Sequence, residues 1–368
     1  LNEQEQEKAE LIRERCQELL ADAYSADASD VHFIPRAEET LIELRIHGYL
    51  YQMAIIAADE AERMINHFKF LSGMDIGETR LPQSSAMPTV FAHDHASLRF
   101  STLPTPSGES MVIRILPQRK NPAIEDLSVF EESVNGLNCL LNYQNGLILV
   151  SGPTGSGKTT TLYTLLAALQ KKYNARVITL EDPIEKRNDT FVQMEVNERA
   201  NFTYARGFKA ILRHDPDIIM IGEIRDEETA RIALKASLSG HLVLSTVHAA
   251  HAASTIQRMS ELGVSRFDLR ETLIGVIGER LVSIQCPNCG AVCKPDCPNR
   301  HHPKRTGIFE ILAGMPLHDL LANQTFSSVH PGYKTIEDFI EEGVSRGWIE
   351  EDIRERGVVS HAYQKKLD

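Results

Sequence analysis

The sequence predicts an α/β fold, a mostly parallel sheet wrapped in helices, preceded by a smaller α+β domain. Three observations carry this. Apolar runs at 147–150, 176–180, 218–221 and 242–246 alternate with helix-prone segments at 160–172, 204–213 and 229–239, the pattern of strands joined through crossover helices. Directly behind the first run stands Gly152-Pro153-Thr154-Gly155-Ser156-Gly157-Lys158-Thr159, a complete G-x-x-x-x-G-K-T loop between a strand and a helix. Before residue 117 the pattern is different, with short strand-like runs separated by turn residues, as in a mixed domain.

Residues 1–25 carry Leu11, Ile12, Leu19, Leu20 and Ala23 among charged neighbours at near-helical spacing, which predicts an amphipathic helix. Such a helix either packs on its own domain or offers an adaptor surface to another subunit. Residues 26–117 read as the small domain: strands at 31–34, 41–46 and 50–56 with Gly48 at a turn, a helix at 59–71, then strands at 97–101 and 111–116 around the turn Pro104-Thr105-Pro106-Ser107-Gly108. A hinge linker is expected over 118–128. The α/β domain follows over 129–368, with a cysteine-rich element at 286–302 and a helical tail at 314–368, where Ile336, Phe339, Ile340 and Val344 share one helix face.

The chain has 368 residues, enough for two or three domains, and 42% hydrophobic with 24% charged residues is ordinary for a packed core. The 39 basic and 51 acidic residues leave a net charge of -12, which argues against a surface devoted to DNA or anionic lipid. No stretch approaches the roughly 20 apolar residues of a membrane span, and Asn2-Glu3-Gln4-Glu5-Gln6-Glu7 lacks the features of a secretory signal. A cytosolic protein is expected. Six cysteines are too few for a disulfide scaffold, and four of them fall within 286–297, which suggests a metal.

The glycine-rich loop reads as a phosphate cradle. Its glycines let successive N–H groups point inward, the helix that follows aims its positive end at the same spot, Lys158 reaches the β- and γ-phosphates, and the Thr159 hydroxyl ligates Mg²⁺. Acids stand just past two strand ends, in Glu181-Asp182-Pro183-Ile184-Glu185 and in Gly222-Glu223-Ile224-Arg225-Asp226, where open α/β sheets place their ligands. A nucleotide hydrolase needs one carboxylate for the attacking water and another for the Mg²⁺ shell. His241 and His248 bracket the run at 242–246 and are candidates to sense the γ-phosphate.

Gly152 to Thr159, the box Thr179-Leu180-Glu181-Asp182-Pro183-Ile184-Glu185, the run from Arg206 through Arg213 to Asp226, and Ser239-Gly240-His241 to His248 resemble the Walker A, Asp, Walker B and His boxes of the secretion ATPase superfamily, the hexameric motors of type II secretion and type IV pili. Upstream, Ala28-Ser29-Asp30-Val31-His32, Arg45-Ile46-His47-Gly48 and Phe100-Ser101-Thr102-Leu103-Pro104 resemble signatures of that family's PAS-like domain. The likeness covers roughly 26–313. It implies a RecA-like P-loop ATPase domain behind a PAS-like domain, in a cytoplasmic homo-hexamer peripherally seated on the inner-membrane face. ATP and Mg²⁺ are its expected ligands, an inner-membrane platform protein its partner, and no direct nucleic acid is expected.

By the same resemblance Glu185 is the first choice to activate water and Glu223 completes the metal and water network, although spacing alone does not rank the two. Glu181 and Asp182 belong with the nucleotide site. Arg99 and Arg114 fall where the family's arginines approach ATP phosphates, and Arg213 and Arg280 are candidates at subunit contacts. His47, Gln83-Ser84-Ser85-Ala86 in place of a Q-D-G-R turn, and Lys209 depart from the family pattern. The long additional N-terminal domain of many type II members is expected to be missing, a compact build similar to the competence (DNA-uptake) pilus members of Gram-positive bacteria.

Cys286, Cys289, Cys293 and Cys297 form C-x₂-C-x₃-C-x₃-C, whose first pair has the spacing of a zinc knuckle. The family's assembly ATPases carry two C-x-x-C pairs, and here Lys294 takes one expected cysteine place. Either the four thiolates hold a structural Zn²⁺, with His301 or His302 able to substitute, or the loop is a remnant with free thiols. Three other functions stay open: a DNA-translocating RecA-like motor, a pilus retraction ATPase, and a nucleotide-bound scaffold without turnover.

Overall fold

The computed structural model describes residues 3–46, 49–92, 94–118, 121–197, 200–286, 289, 305–322 and 332–349, without the side chains of 3–8. The chain divides into two units, Leu1–Lys120 and Asn121–Asp368.

In the first unit α1 (Glu3–Ser25) precedes β1 (Ala28–Pro35), β2 (Glu39–Ile46) and β3 (Tyr49–Ala57). Then come α2 (Ala58–Ser72), β4 (Gln83–Phe91), β5 (Asp94–Thr105) and β6 (Gly108–Pro117). The strands pair antiparallel in the order β3-β2-β1-β6-β5-β4. Period-2 alternation gives the sheet two unlike faces. Val31, Phe33, Ile42, Leu98, Phe100 and Ile113 point to one and form a core with Cys16, Leu19, Leu20 and Ala23 of α1 and Met64, Ile65 and Phe68 of α2. The opening helix therefore packs on its own unit.

On the opposite face one register row runs through Arg45, Asp30, Arg114 and Arg99, each paired with the next across β2, β1, β6 and β5. Asp30 is buried between basic neighbours, and Arg114 Nε donates to its Oδ1 at 2.8 Å. The expected turn at 83–86 is the start of β4. Its alternating exposure and its Pro88 suit an edge strand, where a missing N–H faces no partner.

The second unit begins with a single 3₁₀ turn, Ile124–Asp126, followed by α3 (Glu131–Leu140), β7 (Gly146–Ser151), α4 (Lys158–Tyr173), β8 (Val177–Glu181) and β9 (Val192–Glu195). It continues through α5 (Tyr204–Ile211), β10 (Ile218–Glu223), α6 (Glu227–Leu238), β11 (Leu242–Val247), α7 (Ala252–Glu261) and α8 (Arg266–Thr272). Last come β12 (Leu273–Ser283), β13 (Arg305–Ala313), α9 (Gly314–Ala322) and α10 (Ile336–Ser345). The sheet order is β13-β12-β7-β11-β10-β8-β9, parallel except for β13. Successive residues of β7 feed opposite cores: Leu147 and Leu149 pack with Ala230, Ala233, Ile256 and Leu269, whereas Ile148 and Val150 pack with Leu137, Leu162 and Leu166. The result is a sheet between two helical layers.

Residues 124–128 of the expected linker are built into this unit. Ile124 and Leu127 are buried, Gly307 N donates to Leu127 O at 2.9 Å and Ser128 Oγ to Gly307 O at 2.7 Å. In the tail, Ile336, Phe339 and Ile340 of α10 close a small core with Phe130, Val282 and Ile308.

Lys69 of α2 is fully buried, with Nζ 2.9 Å from Glu109 Oε2 and 2.9 Å from the Glu78 carbonyl. Deleting one partner of such a pair leaves the other charged in an apolar site, whereas deleting both does not. Lys69→Met is expected to destabilise the first unit by about 3–5 kcal/mol, and Lys69→Met with Glu109→Leu to recover most of that loss, as read from denaturant midpoints.

Candidate functional site

β7 is buried from end to end and delivers the chain at Ser151 into the glycine-rich loop. Gly155 (φ +79°) and Gly157 (φ +106°) turn the backbone through the left-handed region, which glycine enters without steric cost. A Cβ on Gly152 would lie 2.5 Å from the Glu279 carbonyl oxygen, so only glycine lets the loop lie flat on β12. Gly157 is the N-cap of α4 and supplies no side-chain cap. The first N–H groups of that helix, and its positive end, are thus offered to an anion. Pro153, Thr154 and Gly155 are exposed, while Ser156 Oγ is buried with no hydrogen-bond partner among the described residues.

Four side chains gather here: Lys158 and Thr159 of the loop itself, and two acids from the carboxyl ends of β8 and β10. Lys158 Nζ donates to the carbonyls of Gly152 and Pro153, each at 2.9 Å. Burial lowers its pKa, opposed by the carboxylates of Glu279, Glu223 and Glu185. Thr159 Oγ1 donates to Glu185 Oε2 at 2.7 Å, joining the start of α4 to the acidic loop after β8. Glu223, the last residue of β10, pairs through Oε1 with the Arg225 guanidinium and lies 3.4 Å through Oε2 from His248 Nε2. An ammonium, a hydroxyl, free helix N–H groups and two carboxylates make a donor set that fits a nucleoside triphosphate with Mg²⁺.

Asp182 is exposed beside this cluster, but Glu181 is placed otherwise than expected. It is 3% exposed. Its carboxylate accepts from Tyr163 Oη at 2.8 and 2.9 Å, from Thr179 Oγ1 at 2.6 Å and from Gln193 Nε2 at 3.3 Å. Burial raises its pKa against these donors, so this acid is an internal anchor and not a nucleotide contact. Asp226 caps α6 by accepting from Thr229 N at 2.8 Å.

His241 is a second correction. It lies at the entry to β11, where Gly146 N donates to its carbonyl and its Nδ1 stands 3.1 Å from Ala236 O and 2.9 Å from Ser239 Oγ. The phosphate loop leaves the opposite end of the adjacent parallel strand, where Ser151 pairs with Val247. At about 3.3 Å per residue, the two histidines that bracket β11 cannot serve one phosphate. His248 is at the loop end; His241 seals a helix terminus.

Arg213 is exposed on the connection entering β10, on the far side of the sheet from its own phosphate loop. Arg280 is turned inward along β12, donating to Glu279 O at 3.0 Å and to Ala250 O. Arg99 and Arg114 occupy adjacent places in the cross-strand row of the first unit. Cys289 N donates to Cys286 O at 3.2 Å, and neither cysteine is in a disulfide among the described residues. Cys293, Cys297, His301 and His302, like His47, lie outside the described residues. Among the described residues no group of three or more metal-type ligands is assembled, and no helix is long and apolar enough to cross a membrane.

Sequence reasoning missed Glu279, which is 1% exposed beneath the loop. Its Oε1 accepts from Thr161 Oγ1 at 3.0 Å, its Oε2 has no hydrogen-bond partner among the described residues, and its carboxylate packs against Gly157. Burial pushes this acid up to about 8, opposed by the Thr161 hydroxyl and Lys158. The signal was present: a charged residue inside the apolar run Val276-Ile277-Gly278-Glu279-Arg280-Leu281-Val282. Also missed was β9, whose Gln193 reaches Tyr163, Glu181 and Lys186.

The family model described as "Type II/IV secretion system protein" matches residues 4–346. The chain belongs to that family. Within it, the competence protein ComGA of Bacillus subtilis is 40% identical over 332 residues, 90% of this chain and 93% of the relative. A second ComGA, from Halalkalibacterium halodurans, is 45% identical over 312 residues, 84% of this chain and 90% of the relative. The fold is similar to the crystal structure of the pilus retraction motor PilT, with a TM-score of 0.66 at 24% identity, covering 91% of this chain and 94% of that one. As a member of the secretion ATPase family the chain is an ATP hydrolase.

Because Glu279 holds its proton more tightly folded than unfolded, its contribution to stability is full below the ordinary 4.5 and is lost as pH rises toward about 8. Glu279→Gln keeps an acceptor for Thr161 and has no such titration. The variant's stability is expected to gain on wild type between about pH 5 and pH 8, by at most about 1.4 kcal/mol per pH unit, in nucleotide-free denaturation curves.

Proposed function

We propose that the chain is the Mg²⁺-dependent ATPase motor that powers assembly of a type IV-like pilus or pseudopilus, of the competence or type II secretion kind. The observation that carries this is the convergence of Lys158, Thr159, Glu185 and Glu223 on one glycine-rich loop. The names of the relatives support the choice of system, since two are competence proteins at 40% and 45% identity over most of the chain.

On this reading the loop N–H groups and Lys158 neutralise the phosphates, exchanging the lysine's contacts with two loop carbonyls for contacts with phosphate oxygens. Mg²⁺, when bound, polarises the transferred phosphoryl group, and Thr159 with Glu223 are the residues that would hold it and its water. Glu185, on an exposed loop and already hydrogen-bonded to Thr159, orients and deprotonates the attacking water. Arg225 and His248 fix the Glu223 carboxylate from two sides.

The rest of the proposal extends beyond this site. The motor is a cytoplasmic homo-hexamer, peripheral to the membrane, driving an inner-membrane platform protein through ATP-driven closure of its two units. The first unit is PAS-like and the second RecA-like; the latter is supported by a sheet that is parallel except for β13, with β7 inside it between β12 and β11. Arg99 and Arg114 are the charges the first unit supplies, supported by their neighbouring places in one basic row. Arg213, exposed at the entry to β10, serves a subunit contact. A structural zinc on Cys286, Cys289, Cys293 and Cys297 is supported by the cysteine spacing and by the hydrogen bond from Cys289 N to Cys286 O.

Steady-state ATP hydrolysis on the sized oligomer tests the core of this reading. Chelation of Mg²⁺ and Lys158→Ala are each expected to abolish turnover, and Glu185→Gln to lower kcat by about 100-fold or more. Double-stranded DNA is expected to leave the rate unchanged; a many-fold stimulation by DNA makes nucleic acid the partner instead.

A further inference from the structure

We infer that Gln193, on the edge strand β9, is a positioning residue that holds the Glu185 loop in register with the phosphate loop; this rests on Glu185 being the water-activating group. The loop at 182–190 leaves β8 and returns to β9 mostly exposed, so its geometry depends on what ties its backbone down. Around Glu185 two side chains on one face of β9 supply those ties, while Gln170 Nε2 donates to Thr190 O at 2.8 Å at the far end. Gln193 Nε2 donates to Lys186 O at 2.9 Å, Gln193 Oε1 accepts from Asn188 N at 2.7 Å, and Glu195 Oε2 accepts from Ile184 N at 3.0 Å. Glu185 is thereby bracketed, with its neighbours on both sides fixed to the same strand.

The same amide reaches the phosphate-loop helix. Gln193 Nε2 is 2.8 Å from Tyr163 Oη, and Tyr163 donates in turn to the buried Glu181 carboxylate. Tyr163 stands four residues after Thr159, one turn along α4 on the same side. Gln170 of the helix holds the far end of the loop at Thr190, and near Glu185 the helix meets the loop at two points one turn apart: directly, through Thr159 to Glu185, and indirectly, through Tyr163 and Gln193 to Lys186. The two contacts fix both distance and tilt of the segment around Glu185, where the Thr159 bond and the distant Gln170–Thr190 pair leave that segment less constrained. Glu181 is held by Tyr163, Thr179 and Gln193, and such a satisfied buried network is stiff. None of these groups belongs to the phosphate cradle, so the consequence falls on the chemical step and not on nucleotide binding.

The test uses the full-length oligomer with Gln193→Met, close in size but without the amide, and Tyr163→Phe, which keeps the ring and loses the hydroxyl. Fluorescent ADP affinity and kcat are measured for each, alone and in the Glu185→Gln background. A displacement of about 1 Å at a reacting group costs on the order of 100-fold. Gln193→Met is expected to lower kcat by about 10-fold or more, with nucleotide affinity within about twofold of wild type, and to cost nothing further once Glu185 is Gln. Tyr163→Phe is expected to shift kcat in the same direction with affinity again unchanged.

Wild-type kcat in Gln193→Met overturns the inference. So does a loss of equal size in the Glu185→Gln background, because Gln193 then acts on something other than Glu185. Loss of nucleotide affinity in both variants makes the network structural and likewise overturns it. Full turnover in Glu185→Gln alone removes the reading of Glu185 on which the inference stands, and so separates failure of that reading from failure of the inference.

Discussion

Parallel pairing of β7, β8, β10 and β11 places their carboxyl ends along one edge of the sheet and their amino ends along the other. Whatever follows a strand can therefore meet whatever follows its neighbours, and whatever precedes a strand is held about one strand length away. Lys158, Thr159, Glu185 and His248 follow strands and Glu223 ends one, and they gather. His241 and Arg213 precede strands, and they do not. Their nearness in sequence to the site residues has no bearing on this.

The site also depends on what lies under it. A phosphate cradle must expose N–H groups on one side while its other side packs on the sheet, and β12 provides that floor through the Glu279 backbone against Gly152 and the Glu279 carboxylate against Gly157 and Thr161. A buried acid at this place is costly when ionised. The fold meets the cost with one hydroxyl and with the proximity of Lys158. Glu181 is treated differently: it has three donors, and it ties α4, β8 and β9 into one body. The two acids make opposite use of burial, one carrying the loop and one stiffening its surroundings.

In the first unit, charge is arranged by register and not by cavity. Asp30 lies between Arg45 and Arg114, and Arg99 continues the row, because antiparallel pairing stacks these positions side by side on the face away from α1 and α2. A one-residue slip of β1 would send Asp30 into the apolar core and bring Val31 out, and one of β6 would do the same to Arg114 and Ile113. The alternation that builds the core is thus the same alternation that assembles the basic row.

By itself the sequence determined the order of β7, α4, β8, α5, β10, α6 and β11, because apolar periodicity and glycine placement are local physics. It also determined the phosphate loop, since a G-x-x-x-x-G-K-T string between strand and helix carries its own geometry. The half-exposed edge strands β4 and β9 escaped it, since their pairing is paid back only when a neighbour arrives, and β12 and β13 were not read either. Tertiary structure alone decided which acids are exposed and which are anchors. Glu181 and Glu185 sit four residues apart in one motif, yet one is sealed beneath Tyr163 and the other reaches Thr159. Burial is a property of the assembled layers, and no spacing along the chain encodes which side of a strand end will face water.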